Sequence, residues 1–368
     1  MSPTDVSLGG MRHAIVPPYL LARIAAATEP HLARAAEAAR ATLEGEREYR
    51  PSRSRLRLSI DEAGSLVAET GPAPDRTISD ARNRETLPGV RVRGEDDPPT
   101  GDEAVDEAFD GLGATFDFYW DAYRRNSIDD AGGELLATVH YGEDYDNAFW
   151  NGERMVFGDG DGEIFTGFTN SVTVIAHELT HGVTEVSGGL EYEGQSGALN
   201  ESISDVFAAL TEQHQLGQTA DEASWLIGEG IFTDAVEGRA LRSMKDPGTA
   251  YDDDVLGKDP QPGHMRDYVV TTNDNGGVHI NSGIPNRAFV LAALALGGSA
   301  WERAGRIWYR TLTSGTLSPT ADFAEFAAAT IATAEAEYGV ESEEVSAVRD
   351  AWTEVGVIGD ERIEKPAA

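Results

Sequence analysis

The sequence predicts an α+β protein in which a strand-rich domain is followed by a mainly helical domain. Residues 136–140 and 148–157 are short apolar segments bounded by Asn-Gly and Gly-Asp-Gly turns, a pattern typical of strands. From residue 170 to about residue 358, apolar residues recur at helical spacing. The chain has 368 residues, 40% of them hydrophobic, which is enough to build two or three packed domains.

Four segments precede the predicted strands. Residues 11–45 carry apolar side chains at helical spacing and are predicted to be helical. Residues 53–69 alternate like a pair of strands, whereas residues 71–101 are rich in proline, glycine and charge and are predicted to form a long loop. Residues 102–126 have the apolar spacing of an amphipathic helix.

We therefore expect three consecutive units: a leader at residues 1–52, a strand-rich domain at residues 53–186 and a helical domain at residues 187–360. The stretch Val-Ile-Ala-His-Glu-Leu-Thr-His at residues 174–181 falls where the last two units meet. Clefts between domains are common ligand sites, so this junction is the first place to look for function.

The charge of the chain excludes two classes of partner. Asp and Glu total 64 against 29 Lys plus Arg, which gives a formal net charge of -35 at pH 7. A surface this negative repels nucleic acid and anionic membranes. Because concentrated salt screens repulsion between like charges, the excess of acid predicts a salt-loving protein. A genome rich in G and C would explain the scarcity of lysine, at only three residues, but not the excess of acid.

The sequence contains no cysteine and shows no recognisable signal peptide. The most apolar later run, residues 284–296, is short and contains Pro285, Asn286 and Arg287, so no membrane span is expected. We therefore expect a protein that is cytoplasmic as synthesised, with export by a leaderless route left open.

His177 and His181 lie four residues apart, and Glu178 directly follows the first histidine. Positions i and i+4 of a helix share a face, so both imidazoles can reach one zinc ion at roughly 2.0–2.1 Å. Glu178 would stand beside the ion, where it can take a proton from water. Because such a short pattern also arises by chance, a third ligand is needed to support a zinc site.

Glu201 is the candidate third ligand, on a predicted helix that begins near residue 197. Asp205 lies four residues further along the same face, where it can accept the second N–H of a ligand histidine. Three protein ligands would leave a fourth position for water, as in catalytic zinc sites. Taken alone, these two carboxylates would more often form a solvated acidic face.

Three stretches in this order resemble the thermolysin family of zinc metalloendopeptidases. They are His-Glu-Leu-Thr-His at 177–181, Gly-Ala-Leu-Asn-Glu-Ser-Ile-Ser-Asp at 197–205 and Asp-Asn-Gly-Gly-Val-His-Ile-Asn-Ser-Gly at 274–283. The similarity extends from about residue 99 to residue 356, and residues 13–21 resemble the short propeptide of protealysin-like members. The resemblance implies a two-domain fold with the zinc helix between the domains.

The resemblance also implies roles for individual residues. Glu178 would act as the general base towards a zinc-activated water that attacks a peptide carbonyl. His279 and Tyr192 would stabilise the oxyanion, with Asp274 orienting His279. Zinc would be held by His177, His181 and Glu201, and the histidines would be supported by Asn200 and Asp205.

The implied substrate is a protein or peptide bound in an extended form. The backbone of Asn147 and Ala148 would pair with it as an added strand, and Arg242 would hold the carbonyl after the cleaved bond. A bulky apolar residue is expected after the cut, in a pocket lined by Phe165, Phe168, Val174 and Leu241.

Other expectations concern the leader and the catalytic loop. The leader is expected to inhibit the enzyme, with residues 17–21 as a stiff apolar plug, and to be removed by the enzyme itself within residues 44–57. His279 is expected in a Gly-Gly loop before a helix capped by Asn281 or Ser282. The remaining histidines, at positions 13, 31, 140, 214 and 264, are assigned to structure or surface.

The sequence departs from the best-known family members at their paired calcium site. Thr173, Ser224 and Leu226 stand where those members have acidic ligands, although Glu212 and Glu229 remain. Calcium takes six to eight oxygen ligands, several of them carboxylates, so a paired site is in doubt while calcium binding itself stays open.

Two other functions remain to be distinguished from an endopeptidase. A zinc exopeptidase with the same metal helix would need an acidic pocket for a free amine, which no motif here provides. A metal-bound binding or inhibitory domain would have lost catalysis, against which the presence of Glu178 and His279 counts.

Overall fold

The computed structural model describes residues 13–45 and 72–359 and has the predicted α+β architecture, with a sheet domain followed by a helical domain. The described part of the leader contains helices α1 (Pro18–Ala25) and α2 (Ala33–Gly45), separated by a short 3-10 turn at Pro30–Leu32. Proline in the first turn of α1 has no N–H to leave unsatisfied, which favours a helix start there. The predicted helical leader is thus confirmed, with a break in the middle.

The sheet has five strands in the order β2-β1-β3-β5-β4. In chain order they are β1 (Arg76–Arg84), β2 (Val90–Gly94), β3 (Leu135–Tyr141), β4 (Ala148–Trp150) and β5 (Met155–Phe157). β3 runs parallel to both β1 and β5, whereas β1 with β2 and β4 with β5 form antiparallel pairs. The strands predicted around residues 136–140 and 148–157 are confirmed, and β4 lies at one edge of the sheet.

The predicted long loop at residues 71–101 is wrong, because it contains β1 and β2. Its charged residues gave a loop-like composition, but several are matched by partners in the fold. Arg76 forms an ion pair with Glu95 at 2.7 Å and stacks on the ring of Phe109, while Ile78 is fully buried. The strand pair predicted at residues 53–69 lies outside the described residues.

Helix α3 (Glu103–Tyr123) confirms the predicted amphipathic helix. Asp102 caps its N-terminus by accepting a hydrogen bond from the Val105 N–H at 3.3 Å. A side chain at Gly111 would collide with Ile175, so the glycine allows α3 to pack closely against the next helix.

After α3, the described residues contain seven further helices and two short hairpins, of which the first helix lies between the two domains and the rest belong to the helical domain. The helices are α4 (Val172–Ser187), α5 (Gly194–Leu216), α6 (Asp274–Asn281), α7 (Gly283–Leu296), α8 (Ala304–Thr313), α9 (Phe323–Tyr338) and α10 (Glu343–Glu354). The hairpins pair β6 (Leu226–Ile227) with β7 (Arg242–Ser243), and β8 (Asp252–Asp253) with β9 (Gly257–Lys258).

Helix α4 lies between the sheet and the helical domain and is buried along most of its length. It packs against α3, α5 and strand β4. A helix buried on every side fixes the direction of its side chains, which places those of α4 and α5 against each other in the interior. Among the described residues, no helix is both long and apolar enough to cross a bilayer.

Helix α2 of the leader packs against acidic loops of the sheet domain. Arg34 donates two hydrogen bonds to Asp144, at 3.0 and 2.6 Å, and the Ala35 N–H donates to Glu163 at 3.0 Å.

Burial, and then repulsion from Asp161, raise the pKa of Asp146 to about 9, so this carboxyl stays protonated at neutral pH.

Candidate active site

The fold brings His177 and His181 of α4 together with Glu201 of α5 in a fully buried cluster. The two Nε2 atoms lie 3.0 Å apart, and each lies 3.4 Å from an oxygen of Glu201. Two ligands of a tetrahedral zinc ion are separated by roughly 3.3 Å when each bond is about 2.0–2.1 Å. The spacing of the donor atoms therefore fits zinc, and within residues 13–45 and 72–359 no other such group of three metal-binding side chains occurs.

The second nitrogen of each histidine bonds to a residue of α5. Nδ1 of His177 lies 2.8 Å from Asp205, and Nδ1 of His181 lies 2.9 Å from the side-chain oxygen of Asn200. Ser204, which sequence reasoning missed, lies 3.1 Å from the same nitrogen of His181. These bonds orient both rings so that their Nε2 atoms face the cluster.

Asp205 is itself held by several donors. Arg242 bonds to both of its oxygens, at 2.8 and 2.7 Å, and Asn286 donates to one of them at 2.8 Å. Burial alone would raise the pKa of Asp205, but Arg242 and His177 together hold that pKa below its ordinary value. The carboxylate therefore remains charged in the protein interior.

Glu178 lies beside the cluster on α4 and is also fully buried. Neither of its carboxylate oxygens has a hydrogen-bonding partner among the described residues. Burial is the main reason that the pKa of Glu178 is raised to about 8, with repulsion from Glu201 adding to it. A carboxyl group with a pKa near neutrality can both accept and return a proton.

His279 and Asp274 lie on the other side of the cluster. Nδ1 of His279 is 2.6 Å from Asp274, which also accepts the backbone N–H of His279 at 3.0 Å. Tyr192 donates a hydrogen bond from its hydroxyl to Glu201. The hydroxyl oxygen of Tyr192 also lies 3.3 Å from Nε2 of His279. Asp274 thus fixes the imidazole ring of His279, so that Nε2 of His279 faces the groove beside the cluster of His177, His181 and Glu201.

The predicted loop around His279 is wrong in its details. Residues 275–277 do form a left-handed turn, but His279 itself lies in the helical end of α6. Neither predicted cap forms, because Asn281 bonds to the backbone of Val269 and the hydroxyl of Ser282 bonds to the carbonyl of His279. The close contact with the 269 segment, which is remote in sequence, takes the place of a local cap.

Residues 13–16 of the leader lie along the free edge of β4 in the groove beside the cluster. The Ile15 N–H donates to the carbonyl of Ala148 at 3.0 Å, and the Trp150 N–H donates to the carbonyl of His13 at 3.1 Å. The leader therefore adds a short antiparallel strand to the sheet. The strand in the groove is formed by residues 13–16 and not by the expected residues 17–21, because Pro18 begins helix α1; Leu20 and Leu21 are nonetheless fully buried.

Asn147 contacts the leader with its side chain rather than with the backbone that we expected. Its oxygen accepts the Val16 N–H at 2.8 Å and its amide donates to the Val16 carbonyl at 3.3 Å. On the other side, Nε2 of His279 lies 2.8 Å from the carbonyl oxygen of Ala14. Arg242 donates to the carbonyl of Ile15 at 3.1 Å.

The four residues expected to line the apolar pocket are buried in one core with Ile15. The rings of Phe165 and Phe168 are 5.4 Å apart, and Leu241 directly precedes Arg242, the first residue of β7. The four buried residues expected to line the pocket are Phe165, Phe168, Val174 and Leu241.

Sequence reasoning missed two residues of the groove. Trp150 was assigned to the core, yet its backbone N–H bonds to the leader; its position two residues after Ala148 on an edge strand is the signal that could have identified it. His13 was assigned to structure or surface, but its Nδ1 lies 3.1 Å from that of His181 and its ring packs on Tyr192.

Comparison with known proteins agrees with this geometry. Residues 70–185 match the family model for the thermolysin metallopeptidase catalytic domain, and residues 188–357 match that for its alpha-helical domain. The extracellular metalloprotease of Pectobacterium carotovorum subsp. carotovorum is 49% identical over 355 residues, covering 94% of this chain and 96% of that protein. Protease PrtS of Photorhabdus sp. (strain Az29) is 53% identical over 285 residues, covering 77% and 76% of the two chains.

A solved structure is similar over nearly the whole chain. The precursor of protealysin, a metalloproteinase from Serratia proteamaculans, aligns with a TM-score of 0.85 and 50% sequence identity. The alignment covers 94% of this chain and 100% of that one, so it includes the leader as well as both domains.

The predicted cytoplasmic location is wrong. The Pectobacterium relative, which aligns over 94% of this chain, is named an extracellular metalloprotease, and this points to secretion. The prediction failed because it depended on recognising a signal at the start of the sequence.

The metal assignment predicts that removal of Glu201 empties the site. Glu201→Ala should lose most of the one zinc ion bound per chain, because two histidines alone hold zinc weakly. Glu185→Ala is the matched control, since Glu185 lies on the same metal helix but bonds to the indole of Trp150. Zinc content after gel filtration is measured by mass spectrometry. Full occupancy in Glu201→Ala would refute the assignment.

Proposed function

Since this chain belongs to the thermolysin family of zinc metalloendopeptidases, we propose that it hydrolyses peptide bonds at the cluster of His177, His181 and Glu201. A zinc ion bound there supplies a Lewis acid that polarises a carbonyl and lowers the pKa of water. The observation that supports this site best is the leader, whose backbone lies across the cluster as a peptide substrate would.

Glu178 is proposed as the general base. Its buried carboxylate lies beside the cluster, where it can accept a proton from the attacking water and pass it to the leaving nitrogen. His279 is proposed to donate through Nε2 to the developing oxyanion, with Asp274 holding the ring. Tyr192 would supply a second donor once its hydroxyl turns away from Glu201.

A substrate is proposed to take the place of residues 13–16. The side chain of Asn147, the carbonyl of Ala148 and the guanidinium of Arg242 would then bind its backbone, as they bind that of the leader. The apolar pocket of Phe165, Phe168, Val174 and Leu241 favours a bulky apolar residue after the cut.

We propose that the leader, residues 1–52, keeps the enzyme latent because it fills the groove that a substrate needs.

We propose that the two catalytic domains comprise residues 53–186 and 187–360. The Pectobacterium relative is named an extracellular metalloprotease, and we propose that this enzyme also acts outside the cell. No paired calcium site is proposed; burial, and then repulsion from Glu229, raise the pKa of Glu212 to about 7.

We also propose that the protein is adapted to high salt. The net charge of -35 produces repulsion throughout the folded chain, and screening by salt relieves it. This proposal depends on charge alone and is independent of the peptidase mechanism.

The peptidase proposal is tested by separating chemistry from metal binding. Leader-free enzyme should cut denatured casein at internal bonds, and a chelator should stop it. Glu178→Gln should keep its zinc and lose this activity, because the ligands remain while the base is removed. His279→Ala should also keep its zinc and turn over about 10²–10³-fold more slowly, the range for loss of one oxyanion donor. Release of single terminal residues instead of internal fragments would indicate an exopeptidase, and unchanged activity in either variant would contradict its role.

Adaptation to salt predicts a melting temperature that rises between about 0.1 and about 3 M KCl, as the Debye length falls from about 10 Å to less than about 3 Å. The measurement is thermal unfolding followed by circular dichroism, with sucrose as the uncharged control. A melting temperature that is flat or falls with salt would contradict the proposal.

A further inference from the structure

The leader occupies the groove in one defined register. Two interactions flank the peptide bond between residues 14 and 15. Nε2 of His279 lies 2.8 Å from the carbonyl oxygen of Ala14, and the N–H of Ile15 donates to the carbonyl of Ala148 at 3.0 Å. We propose that the Ala14–Ile15 peptide bond is a cleavage site of the enzyme itself. This inference rests on the proposed peptidase function.

The prolines of the leader exclude the registers in which a later residue takes the place of Ile15. In the observed register, Ile15 donates to Ala148 and Val16 donates to Asn147. A shift by one residue would bring Pro17 to Asn147, and a shift by two would bring it to Ala148. Since proline has no N–H, each shift loses a hydrogen bond that the observed register makes. A shift by one would also turn Ile15 to the opposite face of the added strand.

The side chain after the bond suits the pocket. Ile15 is apolar and fully buried, as are Phe168, Val174 and Leu241, which we propose as the pocket for the residue after the cut. Its carbonyl accepts a hydrogen bond from Arg242 at 3.1 Å, so both the side chain and the backbone of Ile15 are fixed. Bound in this way, the bond is held in place before the reaction, which removes the entropic cost of binding a substrate from solution.

Cleavage here is an ordinary hydrolysis. Water adds to the carbonyl carbon of Ala14, with Glu178 taking its proton, and the bond to the Ile15 nitrogen then breaks. The proton passes to that nitrogen, so the products are a carboxylate on Ala14 and an amine on Ile15. No oxidant or further reactant is required.

The cut is distinct from removal of the whole leader. Ile15 and Val16 keep their bonds to Arg242 and Asn147, and helices α1 and α2 remain packed on the enzyme. The nicked protein therefore starts at Ile15 and still covers the part of the groove that follows the cut. Activity towards other proteins requires a second step, the departure of the remaining leader.

The experiment follows the intact mass and the N-terminal sequence of the purified full chain during incubation with zinc. The expected product begins at Ile15 and forms at a rate independent of protein concentration, because the bond is cut within one molecule. Ile15→Asp should abolish this product, since a carboxylate does not enter an apolar pocket, whereas the matched control Ile15→Leu should form it. Glu178→Gln should remain uncut.

A parallel assay separates this inference from the proposed function. Trypsin is used to cut after arginines within residues 46–57 and is then inactivated. The leader is separated from the enzyme, and the product is tested on denatured casein, where only cleavage that a chelator stops is counted. Casein cleavage without any chain that starts at Ile15 would overturn the inference alone. No cleavage of casein would contradict the peptidase function. A product at Ile15 that also appears with Glu178→Gln, or whose rate rises in proportion to concentration, would show that another molecule makes the cut and would overturn the inference.

Discussion

The buried charge of Asp205 is the interaction on which both parts of the active site depend. An uncompensated carboxylate in a protein interior is very unfavourable, so this one can remain charged only because donors surround it. His177 donates from α4, Arg242 from β7 and Asn286 from α7, while Asp205 itself belongs to α5. A single side chain thus joins four elements of the two domains, and its bond to His177 orients a metal ligand.

Arg242 extends this network from the metal to the groove. Two of its nitrogens bind Asp205 and a third binds the carbonyl of Ile15. The leader is held from the other side by the free edge of β4, which needs a partner strand to satisfy its backbone groups. Arg242 therefore positions the peptide backbone and Asp205 positions the zinc ligand His177, and these two side chains form one buried ion pair. Helix α2 adds contacts to the acidic loops, where Arg34 forms an ion pair with Asp144 at 2.6 Å.

The chemistry of the metal cluster was predictable from sequence because it depends on spacing within helices. Four-residue intervals place His177 with His181 and Glu201 with Asp205, whatever the rest of the fold does. Features that depend on tertiary contacts were not predictable in this way. The strand β1 has a polar sequence and is stabilised by its neighbours β2 and β3, and Asn281 bonds to residue 269 instead of capping a helix. Likewise, only the course of β4 reveals that residues 13–16 form the strand in the groove, whereas Pro18–Ala25 form helix α1.

The central claim is that Asp205 couples the zinc site to the peptide groove, and Asp205→Asn tests it most directly. This substitution keeps the shape of the side chain and removes the charge that binds His177 and Arg242. Zinc affinity of the full chain, measured by competition with a chelator, should fall by about 10–100-fold, the range for loss of a group that supports a ligand. In the Glu178→Gln background, where the Ala14–Ile15 bond stays intact, hydrogen exchange of the Ile15 and Val16 amides should accelerate on Asp205→Asn substitution, because Arg242 is no longer fixed. If zinc affinity falls while those amides exchange at the wild-type rate, or if zinc affinity does not change, the two parts of the site are independent and the account is wrong.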